Sequence, residues 1–440
     1  MRIDYEGLSE APLREAARIV FGRNEVPFFD FEHAHLVVSF GADFLESWLS
    51  PVEHARGFAR MHGVDDEGHK GRFVYVGPRL SLTGQNADEW FPAAPGTEAM
   101  VALAIANVIS GGGRDAGPYA NVVSAYSPQS VAQATGLDAE AIETLAARFV
   151  EEGPSLALGP GLGGQHRNAT AANVAVMILN AVAGNVGRTV HFQRTDLAAP
   201  TTRFADLQAA LPRMAGATVL VHGCNPAFTL PPAAGFAEAF QSAGFRVSFA
   251  SAPDETTAMA DLILPDRHFL EAWGDSNPRP GVYALQQPAM RAVPLFDSKQ
   301  AGDVLLSVAE KAGRSLGAPS FYEFLRTRWQ SVHAMDDSGR DFETFWRDAL
   351  KTGVVEVGAG VPEAGPLRTP DSALVFDAPT FDGDADGLVL MVYPSSRFGD
   401  GALNGNRPWL HELPDPLSKI TWHSWVEVHP RTAERLGLEE

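Results

Sequence analysis

The sequence predicts an α/β fold of two Rossmann-like modules in pseudo-two-fold relation around a shared cleft, followed by the start of a β-rich C-terminal domain. Three observations predict it. Short β-branched apolar runs end at glycine and alternate with segments of helical spacing, which is the grammar of parallel strands joined by helices. That pattern occurs twice, with Gly41-Ala42-Asp43-Phe44 echoed by Gly223-Cys224-Asn225-Pro226 and Ala87-Asp88-Glu89-Trp90-Phe91-Pro92 echoed by Ala260 to Pro265. Apolar runs also reappear after a Gly- and Pro-rich stretch near the C-terminus.

The first repeat opens with Leu36 to Phe40, a run that stops at Gly41 and reads as a buried parallel strand. A helix is expected over about Pro51 to Met61, with Phe58 and Met61 on one face. Arg72 to Val76 is the next strand, ended by Gly77-Pro78. After Pro95-Gly96-Thr97 a helix runs from about Glu98 to Ile109, apolar enough to be buried all round but too short to span a bilayer. The middle of the chain is helical. Ser127-Pro128 opens one helix that Gly136 stops, and Asp138 caps another that carries Ile142, Leu145, Ala146 and Phe149 at helical spacing. Ser155 to Leu158 is a short strand, followed by a Gly-rich turn and a helix over about Thr170 to Ala183.

The second repeat reads as strand Thr218 to His222, a helix around Phe236 to Ala243, strand Arg246 to Phe249 and the closing run Ala260 to Pro265. Residues 351–387 have the composition of a linker. Beyond them Leu388 to Tyr393 and Trp425 to Val428 are expected as strands and Arg431 to Leu436 as a short helix. The expected organisation is a first α/β module at 1–125, a middle segment at 126–215 that completes the first half, and a second module at 216–350. The linker and an incomplete C-terminal domain at 388–440 follow, the latter too small to stand alone unless it docks on the rest.

Composition narrows the function. Lys plus Arg is 34 against Asp plus Glu 54, a net charge of −20 that repels phosphate backbones and sets nucleic-acid binding aside. The single cysteine, Cys224, rules out internal disulfides, Cys-only zinc sites and iron–sulfur clusters held by this chain alone. No apolar run is long enough to span a membrane, and the acidic first ten residues do not read as a signal peptide.

The chemistry-bearing motifs are modest. Gly159, Gly161 and Gly164 form G-x-G-x-x-G after a strand, the spacing that lets a backbone approach a pyrophosphate. The acid expected about 20 residues on is missing, since the next one is Asp196, 32 positions beyond Gly164. A Gly-rich turn between packed elements is the plainer reading. Gly223-Cys224-Asn225-Pro226 stands at the carboxyl end of a parallel strand, where open α/β sheets bind ligands, and the Asn amide can donate to and accept from a nucleotide. His166 and His222 are isolated, and Asp254-Glu255 reads as a cap for the residues after it. No His, Cys or Glu cluster has metal-ligand spacing, so neither a catalytic nor a metal residue is assigned.

Taken together in order, several segments resemble the large subunits of the dimethyl-sulfoxide-reductase superfamily, the molybdopterin oxidoreductases. They are Gly41 to Phe44, Pro78-Arg79, Ala87 to Pro92 with Pro95 to Glu98, Gln165-His166, Leu179 to Gly187, Gly223 to Pro226, and Glu255 to Pro265. The segments Phe44 to Pro51 and Asn406 to Pro416 are most similar to the branch found in quinone reductase complexes and alternative complex III. In the catalytic members, molybdopterin guanine dinucleotides lie between the α/β modules. The resemblance therefore implies Gly41, Asp43, Pro78, Thr97, Gln165, Gly223 and Asn225 along a cofactor cleft. It also implies an iron–sulfur subunit and a membrane quinone-interacting subunit as partners, in a membrane-associated respiratory complex on the periplasmic side, with the cytoplasm as the alternative because no signal peptide is read in this sequence.

Departures from the family shape the expected function. An N-terminal cluster domain with four spaced cysteines is not in this sequence, and Gly77 and Ala252 stand where the family commonly has carboxylates that bind guanine donors. The first expectation is therefore a partial large subunit serving as a structural and electron-transfer scaffold. The alternatives are an active molybdopterin guanine dinucleotide oxidoreductase completed by a separate iron–sulfur chain, and a small-nucleotide or nicotinamide binding protein.

Overall fold

The computed structural model describes residues 1–64, 68–161, 166–192, 201–279, 281–357, 365–370, 373–384 and 387–438. Its first sheet has four parallel strands in the order Glu89–Phe91, Arg72–Val76, Leu36–Phe40, Ser155–Leu158. Leu36 lies opposite Arg72 on one side and Ser155 on the other. All five residues of Leu36–Phe40 are buried, as an inner parallel strand covered on both faces requires.

The helices Ala11–Phe21, Glu98–Gly111 and Ala169–Ala183 pack on one another and on this sheet, giving the largest core. Helix Ala139–Glu151 buries Ile142, Leu145, Ala146 and Phe149, the stripe its spacing announces. The open edge of strand Ser155–Leu158 is closed by a side chain. The Asn180 Nδ2 donates to the Ala157 carbonyl at 2.9 Å, while the Asn180 Oδ1 accepts from the Ala157 N–H at 3.0 Å. Asn185 then donates to Asn180 Oδ1 at 3.0 Å, and Gly184, at φ 78°, makes the left-handed turn that brings Asn185 back. The run Leu179 to Gly187 thus has a packing reason of its own: two amides stand in for a missing strand.

The second sheet is separate, with parallel strands Thr218–Val221, Phe245–Ser248 and Leu262–Ile263. A third sheet, antiparallel, joins Gly274–Arg279, Val282–Gln286 and Val354–Glu356 beside the helices Phe321–His333 and Phe342–Thr352. Its core centres on Trp329, Phe345 and Trp346. The sequence reading had not picked out this unit, nor the helix Ala11–Phe21. The two parallel groups belong to different sheets, as the repeat implies, and the whole is mixed α/β.

Two expectations fail. Leu388 to Tyr393 and Trp425 to Val428 are not strands. A β-run becomes a strand only when a neighbour supplies its ladder, and no described residue pairs with either run. Their side chains stay outside as well, Leu390 at 82% and Val426 at 83% exposure, and residues 388–438 add no hydrophobe to any core. The short helix is present as Pro430–Leu436, with Gly437 at φ 66° ending it. The linker composition of 351–387 also hides a docked strap. Phe376 is buried in the first core, and Asp377 accepts from Tyr126 Oη at 2.9 Å and, through its carbonyl, from Asn168 Nδ2 at 2.9 Å.

Candidate functional site

Gly41 directly follows the last residue of its parallel strand and Gly223 lies two residues past the end of its own, with φ of 77° and 67°, a left-handed conformation that costs glycine little because it has no β-carbon. Around Gly41 the loops are packed tightly. A β-carbon on Gly161 would sit 1.8 Å from the Gly41 carbonyl oxygen, and one on Gly159 2.7 Å from the Phe40 oxygen. Close approach of two strand-end loops therefore explains these two glycines of the G-x-G-x-x-G spacing. Gly164 and Gln165 lie outside the described residues.

Asp43 is buried, and its Oδ1 accepts from Tyr75 Oη at 2.9 Å and from Ser81 Oγ. Burial raises its carboxyl above the usual range, while the Ser81 and Tyr75 bonds and the Arg79 charge oppose that rise. The aspartate thus ties the turn after Phe40 to the loop that carries half-buried Pro78 and Arg79. Thr97 is buried at the start of helix Glu98–Gly111 and spends its hydroxyl on the Ala94 carbonyl at 2.7 Å.

Arg79 is a site residue the sequence reading left inside a dipeptide. Its guanidinium lies 3.6 Å from the centroid of Tyr393 and donates to Glu427 from Nε at 2.8 Å and Nη2 at 3.3 Å. Tyr393 Oη and Trp425 Nε1 donate to the same carboxylate at 2.6 and 3.1 Å. Desolvation raises the Glu427 carboxyl, but the bonds from Arg79, Tyr393 and Trp425 outweigh it and hold it down to about 2. The C-terminal segment is thereby clasped over the loop after Val76.

At the second sheet, Asn225 is buried and already engaged. Its Nδ2 donates to Glu255 at 2.7 Å, and its Oδ1 accepts from the Thr256 backbone N–H at 3.2 Å and hydroxyl at 2.7 Å. Asp254 caps the turn Thr257–Met259 through the Thr257 N–H, as its position implied. His222 falls just past the strand, exposed, with Nε2 2.7 Å from Asp266. Cys224 has its thiol pushed up to about 11, by burial first and then by Asp254 and Glu6, so it stays protonated and is no nucleophile at neutral pH.

Gly223, Cys224 and Asn225 line a cleft of about 270 Å³, whose other walls are Tyr5 to Leu8 and the loop Phe398 to Asn404. That is below the roughly 300–1,000 Å³ of sites that enclose drug-sized ligands. Its charged walls are Glu6 and Asp400, with no Lys, Arg or His among them. An acidic lining of this kind repels a pyrophosphate, which binds best against cations. Among the described residues no group of three or more His, Cys, Asp or Glu is placed to hold a metal ion, and no helix is long and apolar enough to cross a membrane.

Comparison with known proteins accounts for the architecture. Residues 9–283 match the family model for molybdopterin oxidoreductases. The chain is 31% identical, over 98% of its length, to the molybdopterin-binding-like subunit of menaquinone reductase from Nitratidesulfovibrio vulgaris strain Hildenborough, and spans 63% of that protein. It is 30% identical over 90 residues, 18% of this chain and 9% of the other, to the molybdopterin-containing subunit of arsenate respiratory reductase from Shewanella sp. strain ANA-3. Acetylene hydratase from Pelobacter acetylenicus superposes with a TM-score of 0.66 at 16% identity, covering 98% of this chain and 70% of that one. With a match across more than half its length, this chain belongs to the molybdopterin oxidoreductase family, which implies a molybdopterin cofactor for its members.

Proposed function

We propose that this chain is the scaffold part of a molybdopterin-family large subunit in a membrane quinone electron-transfer complex, and that it holds no molybdopterin guanine dinucleotide tightly. The two parallel sheets are read as Rossmann-like modules in pseudo-two-fold relation, with the organisation 1–125, 126–215, 216–350, 351–387 and 388–440. Gly41, Asp43, Pro78, Thr97, Gln165, Gly223 and Asn225 mark the cleft of the family's catalytic members.

The observation that carries the reading is that polar groups at these strand ends are already committed within the protein. Asn225 is consumed by Glu255 and Thr256, Arg79 by Glu427, Asp43 by Ser81 and Tyr75, and the adjoining cleft is acidic. Gly77 and Ala252 offer no carboxylate to a guanine. Losing even two charge-assisted bonds of roughly 1.5–3 kcal/mol each would weaken a dinucleotide by several orders of magnitude. The relative's name, menaquinone reductase, supports the quinone complex, and partner subunits carrying iron–sulfur clusters and a membrane anchor follow from that reading.

The test is to isolate the native complex by a tag on this chain and measure molybdenum, iron and pterin per copy. The expected result is partner subunits with iron and far less than one molybdenum. One molybdenum and one guanine dinucleotide per chain would replace the scaffold with the active enzyme.

A further inference from the structure

We infer that this chain fills its own ligand crevice: residues 3–8 and the loop 398–407 close over the carboxyl ends of the second parallel sheet as a built-in roof. Open α/β sheets take their ligands outside those strand ends. The inference rests on the scaffold reading and names what stands in the cleft in place of a dinucleotide.

Residues 3–8 are fixed to the second module. Ile3 and Tyr5 pack on its core of Leu207, Val221 and Phe240. The Thr202 N–H donates to the Asp4 carbonyl at 2.8 Å, and the Asp4 N–H donates to Thr202 Oγ1 at 3.2 Å. Tyr5 Oη donates to Thr229 Oγ1 at 2.9 Å, which ties the segment to the short helix Pro226–Thr229 directly after Asn225.

The loop 398–407 is folded on itself before it docks. Ser395 and Gly399 exchange backbone bonds at 3.1 and 2.8 Å, Gly401 N–H donates to the Phe398 carbonyl at 3.0 Å, and Gly405 N–H donates to the Gly401 carbonyl at 2.9 Å. A preformed piece loses little freedom when it settles on a surface. Its far end reaches the turn after Phe245–Ser248, where Asn406 Nδ2 donates to the Pro253 carbonyl at 2.8 Å and Arg407 Nη2 to Ser251 Oγ at 3.2 Å. The roof therefore holds the turns that follow two of the three strands.

Two glycines let the pieces meet. A β-carbon on Gly7 would lie 2.6 Å from Asp400 Oδ2, so the two roof segments touch where a side chain would part them. One on Gly401, at φ 84°, would lie 3.2 Å from the Phe228 ring. What stays open beneath is the cleft of about 270 Å³ at Gly223, Cys224 and Asn225. A segment that only connects elements is mobile and variable, and needs none of these contacts.

Cys224 is the single cysteine of the chain and lines the cleft, so its labelling reports on the roof alone. The purified full chain is reacted with N-ethylmaleimide and with a polymer-bound maleimide, and the ratio of the two rates is compared with that of the chain in denaturant. The ratio cancels the thiolate fraction, which both reagents share. In the wild type the bulky reagent should be held back about ten-fold or more relative to the denatured chain. Tyr5→Phe with Asn406→Ala and Arg407→Ala removes three hydrogen bonds of the roof and should restore most of that ratio with circular dichroism unchanged. Gly401→Val, which loses the left-handed turn and meets the Phe228 ring, should do the same from the loop side and decides the matter if the triple variant does not fold. A wild-type ratio equal to the denatured chain's, or one that neither variant moves, overturns the roof and leaves the scaffold reading standing. One molybdenum and one guanine dinucleotide on the native chain overturn both.

Discussion

Replacing Asn225 with alanine separates a structural clip from a ligand-binding residue. The amide is buried and holds the loop after Val221 to the loop after Ser248 by three hydrogen bonds, one to Glu255 and two to Thr256. Net hydrogen bonds contribute about 0.5–1.5 kcal/mol each, and Glu255 is exposed, so its bond counts at the low end of that range. The sum is roughly 2–3 kcal/mol, largely because the buried Thr256 N–H is left without an acceptor. For a unit of this size that lowers the melting midpoint by roughly 4–12 °C. The assay is thermal unfolding of Asn225→Ala beside Glu255→Ala and the double variant, with Cys224→Ala as the neighbouring control. Coupling between 225 and 255 of at least about 0.5 kcal/mol is expected, with little change in the control. An Asn225→Ala protein as stable as wild type, but impaired in binding a guanine nucleotide, would refute the reasoning and return this side chain to a ligand.

Two further outcomes follow from the charged groups. Glu98 is buried at the start of its helix, and desolvation pushes its carboxyl up from 4.5 to about 7 against the N–H bonds from Glu98 and Gly96. A raised carboxyl stabilises the fold fully below its unfolded value, so stability should fall as pH rises from about 4.5 to about 7, and Glu98→Gln should flatten melting temperature against pH across that window. At the clasp, Glu427→Ala should free the C-terminal segment and speed limited proteolysis within 388–438 several-fold with little change in global melting, since the Glu427 side chain is 41% exposed and its ion pair is screened. Equal cleavage rates would show that the segment is held elsewhere.

The sequence by itself determined the first sheet, the buried helix Glu98–Gly111 and the second parallel group, because each signal is local. Burial of a parallel strand requires an unbroken apolar run, and a strand-end turn at positive φ favours glycine, so Leu36 to Gly41 carries its structure in composition alone; Thr218 to Gly223 shares the run and the glycine, although only Val221 of its strand is buried. Order and spacing of weak motifs were likewise enough to reach the family. Only the tertiary structure decided what those motifs do. Asn180 and Asn185 edge a sheet, Gly159 and Gly161 yield to a neighbouring backbone, and Asn225 clips two loops, each by contacts with residues 5 to 120 positions away. The same limit explains the errors. Leu388 to Tyr393 has the side chains of a strand, but a ladder is a property of two segments, and Glu427 meets Arg79 across 348 residues. No local pattern encodes a partner that far along the chain, because pairing is set by the packed geometry of both elements.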